Sequence, residues 1–100
     1  MSLRRDPQTD ALFESVLALE SVEECYRYFE DLCTVKEVRD MGQRLMVAGL
    51  MRSGSSYIAA QQATGASSAT IGRVKRCLDY GSGGYELILD RIKEGSADEA

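Results

Sequence analysis

Ser56-Tyr57-Ile58-Ala59-Ala60-Gln61-Gln62-Ala63-Thr64-Gly65-Ala66-Ser67-Ser68-Ala69-Thr70-Ile71-Gly72-Arg73-Val74 reads as helix, tight turn, helix. Ser55 or Ser56 can cap a short first helix over 57–63. In the turn, Thr64-Gly65-Ala66-Ser67, the glycine can take the positive φ angle a sharp reversal needs. Ser67 can cap a second helix over 68–79. Helices joined by so short a turn need small residues where they cross, and Ala59, Ala60 and Ala63 supply them. Ile71, Val74 and Leu78 recur on one face of the second helix and point inward together. The pattern predicts a helix-turn-helix over about 56–79.

The other face of that second helix shows Ser68, Ala69, Gly72, Arg73, Lys75 and Arg76. It is short-chained at its amino end and basic further on, which suits insertion of a helix amino terminus into a DNA major groove. Ser68 and Thr70 can hydrogen-bond bases or phosphates, and Ala69 can meet a thymine methyl. Arg73 is the candidate for a guanine or a phosphate, with Lys75 and Arg76 as backbone contacts. Free amides at the helix start, beside Ser67, favour a phosphate there too. The candidate DNA-binding set is therefore Ser67, Ser68, Ala69, Thr70, Gly72, Arg73, Lys75 and Arg76.

Charge supports the same reading. No acidic residue lies between Asp40 and Asp79, although the chain carries 16 of them. Arg44, Arg52, Arg73, Lys75 and Arg76 fall in that interval, so it carries +5 while the whole chain carries −4. An acidic chain that clears one stretch of carboxylates reserves it for a polyanion. The competing reading is a solvated basic helix in an ordinary bundle.

Outward from this core, the remaining sequence is also helical. Asp6-Pro7 reads as an N-cap followed by proline in the first turn. Leu12, Val16 and Leu19 then recur at helical spacing, widened by Phe13 and Leu17. That face is broader than a small monomer needs: either the helix is well buried, or two subunits share it. Ser21-Val22-Glu23-Glu24 is a capping box, and Cys25, Tyr26, Phe29 and Leu32 follow as an amphipathic stripe. Thr34-Val35-Lys36-Glu37 repeats the box and opens a third helix to about Arg52, with Val38, Met41, Leu45 and Ala48 as its stripe. Gly42 and Gly49 inside it mark either tolerated weakness or close packing. Beyond Gly81-Ser82-Gly83-Gly84, a last helix carries Tyr85, Leu87, Ile88, Leu89 and Ile92. The polar end, 93–100, is expected to be disordered. No strand, repeat or linker stands out, so residues 1–100 read as a single all-α domain.

Composition removes several functions. There is no histidine, and Cys25, Cys33 and Cys77 have no metal-ligand spacing. Catalytic and metal sites are therefore expected to be absent, and the reading is non-enzymatic. An odd number of thiols argues against a disulfide framework and for reduced core cysteines. The apolar runs are too short for a membrane span, and the charged amino terminus has no signal-peptide core, so the cytoplasm is the expected compartment.

With these residues in place, the chain resembles the Trp repressor (TrpR) superfamily, and within it the YerC/YecD branch of related bacterial proteins. The resemblance runs over about 12–92. It is carried by Glu23-Glu24-Cys25-Tyr26-Arg27-Tyr28-Phe29, Asp31-Leu32-Cys33-Thr34, Gln43-Arg44-Leu45, Thr64-Gly65-Ala66-Ser67, Ala69-Thr70-Ile71 and Arg73-Val74-Lys75-Arg76-Cys77-Leu78. It implies a six-helix TrpR-like fold in an intertwined homodimer, the fourth and fifth helices forming the reading head. It implies a transcriptional regulator, a repressor, on a palindromic operator in double-stranded DNA, with reading heads about 34 Å apart. It also implies a co-repressor pocket, whose arginines and threonines align with Arg44, Arg73, Thr34 and Thr70. Arginines suit a ligand carboxylate. Two departures argue against tryptophan as that ligand. Val74 replaces the glycine that faces the indole, and Cys77 replaces a serine that helps anchor the amine. No cofactor is assigned, though a different small-molecule co-repressor remains compatible with the pocket. The alternative function is a helical dimer that binds a protein partner through the same head.

Overall fold

A computed structural model describes residues 3–99, with side chains through residue 93. Among the described residues there are six helices and no strand. They are α1 Pro7–Leu17, α2 Val22–Leu32, α3 Val35–Arg52, α4 Tyr57–Thr64, α5 Ser68–Tyr80 and α6 Gly84–Glu99. The helical backbone of α6 enters the stretch 93–100 expected to be disordered. The side chains of 94–99, and residue 100 altogether, lie outside the described residues. No described helix is long and apolar enough to cross a membrane.

Local chemistry sets the helix starts. Asp6 caps α1: its carboxylate accepts from the Thr9 amide at 2.8 Å and from the Thr9 hydroxyl at 2.8 Å. Those bonds hold the Asp6 carboxyl below its ordinary value, the backbone bond most strongly. Ser21 caps α2 by accepting from the Glu24 amide at 3.1 Å. Glu24 reaches back, as a capping box requires, but accepts from the Glu20 amide at 2.8 Å, one residue before the cap. α3 opens at Val35, directly after Thr34.

The chain forms two compact units, Met1–Val35 and Lys36–Ala100. In the first, α1 and α2 are joined by a 2.6 Å hydrogen bond between the Ser15 and Tyr28 hydroxyls. Tyr28 meets Phe29 edge-on with ring centroids 5.8 Å apart. No residue of α1 or α2 is buried. Leu17 is 84% exposed, and Phe13, Val22 and Tyr26 are exposed as well. A single chain therefore does not bury the broad apolar face of α1.

The second unit holds the core. Val47, Ala48 and Met51 of α3 pack with Ala60 of α4, Ala66 of the turn, and Ile71 and Val74 of α5. Leu50, Leu78, Tyr85 and Leu89 flank this cluster. Val47, Ile71 and Val74 are its largest fully buried side chains, each contributing on the order of 1.5–3 kcal/mol by burial. Of the stripe read along α3, only Ala48 is buried; Val38, Met41 and Leu45 are exposed. α3 thus has two apolar faces, one packed on the head and one uncovered. Its glycines do not mark tight packing inside the chain. A methyl at Gly42 would meet nothing within 4 Å, and one at Gly49 would make ordinary contact with Leu89 at 3.8 Å.

None of the three cysteines is buried, contrary to the expectation of core thiols. Cys25 and Cys33 are half-buried and Cys77 is exposed. Cys77 follows the exposed flank of α5 rather than the inward face of Ile71, Val74 and Leu78, because it lies three residues from Val74 on the side away from Leu78.

Candidate nucleic-acid interface

The α4–turn–α5 head is built from its two caps and one glycine. Ser56 accepts from the Ala59 amide at 3.1 Å, which starts α4. Gly65 ends it in the left-handed region, at φ 75 and ψ 5, with its amide donating to the Gln61 carbonyl. Gln43 of α3 donates from Nε2 to the Thr64 carbonyl at 3.2 Å, pinning the turn to the scaffold helix. The Thr64 hydroxyl donates to the Ala60 carbonyl at 2.7 Å and accepts from the Ala66 amide at 3.1 Å. Ser67 then caps α5, accepting from the Thr70 amide at 3.1 Å.

Small residues do the packing here, though fewer than expected. Ala60 is fully buried, whereas Ala59 and Ala63 are exposed. Ala66, in the turn itself, takes part in the core instead. Ile71 and Val74 are 0% and 1% exposed, and Leu78 is half-buried. The inward face of α5 is therefore the one its spacing indicated.

With that face inward, the outward stripe is Ala69, Arg73, Arg76 and Tyr80, spaced four, three and four residues apart. Ala69, Arg73 and Arg76 are exposed. Tyr80, 87% exposed, continues the stripe. Charge does not single it out in the sequence, although the same helical spacing reaches it. Ser67 and Ser68 are exposed at the start of α5, Gly72 and Thr70 are half-buried, and a methyl on Gly72 would meet nothing within 4 Å. The Thr70 hydroxyl accepts from the Ser67 hydroxyl at 3.1 Å.

The cations of the acid-free stretch divide into two groups. Arg52 is committed to the scaffold: it pairs with Asp90 and donates to the Glu86 carbonyl at 3.3 Å. Lys75 lies on the flank of α5, half-buried, with its ammonium 3.1 Å from the Asp79 carboxylate. Arg44, Arg73 and Arg76 make no ion pair or hydrogen bond among the described residues. The charge free to meet a polyanion is carried by fewer groups than the five cations of the sequence.

The residues aligned with a co-repressor pocket stand differently. Thr34 belongs to the first unit, and Arg44, Thr70 and Arg73 to the second. Arg44 is half-buried on α3, and Arg73 is exposed on the outward stripe. The Val74 side chain is buried in the core shared with α3 and α4.

Residues 7–93 match the family model of the Trp repressor protein. The chain is 53% identical over 90 residues to the uncharacterized protein YerC of Bacillus subtilis (strain 168), covering 90% of this chain and 86% of that protein. The crystal structure of a candidate Trp repressor from Staphylococcus aureus matches with a TM-score of 0.87 and 48% identity, over 89% of both chains. A TrpR-like protein from Eubacterium eligens ATCC 27750 matches with a TM-score of 0.87 and 38% identity, over 89% of this chain and 92% of that one.

Proposed function

The chain belongs to the Trp repressor family, and from that premise we propose that it is a homodimeric transcriptional regulator, a repressor, that binds palindromic double-stranded DNA without requiring tryptophan. The observation that carries this reading is the two-faced α5. Ile71 and Val74 are locked into the core, while Ala69, Arg73 and Arg76 stand outward with no acidic partner among the described residues. Ser67, Ser68, Thr70 and Gly72 lie toward its amino end, where short side chains let the backbone approach base edges. Arg73 and Arg76 supply phosphate or guanine contacts.

Dimerisation is supported by the apolar faces that one chain leaves uncovered: Phe13 and Leu17 on α1, Val22 and Tyr26 on α2, Met41 and Leu45 on α3, Leu87 and Ile88 on α6. So many large apolar side chains at the surface of a 100-residue chain mark an association surface. Independence from tryptophan is supported by Val74. The head is closed on an apolar core with that side chain inside, so its orientation needs no ring to complete it. Within the second unit, Arg44, Thr70 and Arg73 remain candidate contacts for a ligand carboxylate.

Selection of bound sequences from a random duplex library, with and without tryptophan, tests the whole reading. The expected product is a palindromic consensus recovered equally in both arms. Enrichment only with tryptophan would remove the ligand-independent part. A flat selection, with a discrete protein captured through the same head, would replace DNA by a protein partner.

A further inference from the structure

We infer that Asp79 restrains DNA binding by holding Lys75 away from phosphate, so that it is a positioning residue that lowers affinity. This rests on the DNA-binding reading above. Lys75 Nζ lies 3.1 Å from Asp79 Oδ1, and both side chains are 41% exposed. The pair sits on the flank of α5, beside the outward stripe of Ala69, Arg73, Arg76 and Tyr80.

Helix stability gives little reason for Asp79. It stands in the last turn of α5, where the helix dipole disfavours a carboxylate. The order is also the weaker one, with the cation N-terminal to the acid at i,i+4. Nor does the Asp79 side chain tie α5 to another helix among the described residues; it accepts from Lys75, on its own helix. What it does is end the acid-free stretch at the edge of the cationic stripe and occupy one lysine. Asp40, at the other end of that stretch, is likewise held by a lysine four residues earlier, Lys36 at 2.7 Å, but on α3. With Asp79 in place, phosphate neutralisation falls to Arg73 and Arg76, and Lys75 adds nothing to it.

The test is the salt dependence of binding to a mixed-sequence duplex for the unmodified protein, Asp79→Asn, Lys75→Gln and the double variant, with helicity followed by circular dichroism. Asp79→Asn should tighten binding and steepen the plot of log affinity against log salt by about 0.9, one added phosphate. Lys75→Gln alone should leave that slope unchanged, and in the Asp79→Asn background it should remove the gain. An unchanged slope in Asp79→Asn overturns the inference. So does a gain that survives in the double variant, which would be simple loss of repulsion. So does Lys75→Gln flattening the slope of the unmodified protein, because Lys75 would then already be engaged; this arm decides alone if Asp79→Asn does not fold. If the unmodified protein binds no duplex at any salt, DNA binding itself is wrong and this inference falls with it, an outcome distinct from the other three.

Discussion

The Arg52 guanidinium pairs with the Asp90 carboxylate and ties the end of α3 to α6. Thirty-eight residues separate the two partners, so a cation that looks available in the sequence is part of the frame that carries α4 and α5. Its side chain is partly screened from solvent, and a pair of this kind contributes modestly to stability. Its larger consequence is for charge: the unpaired cations on the outward face of α5 are Arg73 and Arg76.

Replacing both with alanine should therefore weaken duplex binding at low salt and flatten its salt dependence by about 0.9 for each phosphate no longer neutralised. Both side chains are exposed on α5, so far-ultraviolet circular dichroism should be unchanged. A double variant that binds as the unmodified protein does would take the reading surface away from this face.

The turn makes a sharper demand. Gly65 sits at φ 75 with nothing within 4 Å of where a methyl would stand. Gly65→Ala should thus cost about 1–2 kcal/mol through the backbone alone, seen as a lower urea midpoint. Gly72, inside α5 with equally open surroundings, should respond in the opposite sense. Gly72→Ala should stabilise by about 0.5–1 kcal/mol. Equal responses at the two positions would contradict the left-handed turn.

Phe13 and Leu17 are exposed in the single chain, so glutamate at either should leave a monomer's stability nearly untouched. In a dimer that covers α1 the same change buries a charge. Phe13→Glu and Leu17→Glu should then lower the mass found by sedimentation and the Tm together, with the Tm of the unmodified protein rising with concentration. Unaltered mass and Tm would mean that α1 is not the shared face.

At the amino terminus, Thr9 holds the Asp6 carboxyl below its ordinary value of 3.8. A carboxyl depressed on folding contributes stability above its unfolded value and loses it as pH falls through the folded one. Acid titration through and below that ordinary value should thus unravel the start of α1. Asp6→Ala should show lower helicity at neutral pH and a smaller change across that window. An identical titration in the variant would remove Asp6 as the cap.

Much of the head could be read from the chain. Ser56, Ser67 and Gly65 cap and turn where their residue types indicated, and Ile71 and Val74 are buried as their spacing required. Selection among equivalents could not be read. Ala59, Ala60 and Ala63 look alike in sequence, yet Ala60 alone of the three is buried, and Ala66 joins it. The stripe legible along α3 is mainly the uncovered one; the packed face uses Val47 and Met51 as well. Tyr80 shares the outward stripe but carries no charge to mark it as part of a polyanion surface.

By itself, the sequence determined the family, the six helices and the inward and outward faces of α5. The helices and the two faces follow from caps, turn chemistry and apolar periodicity, whose partners lie within three or four residues; the family follows from motifs that resemble its members. The tertiary structure alone decided which cations are committed and what fills the place beside Val74. Asp90 reaches Arg52 only after α3 and α6 are brought together, and Val74 closes on a core assembled from α3, α4 and α5. Pairing across such distances depends on how whole helices pack, and no local pattern encodes it.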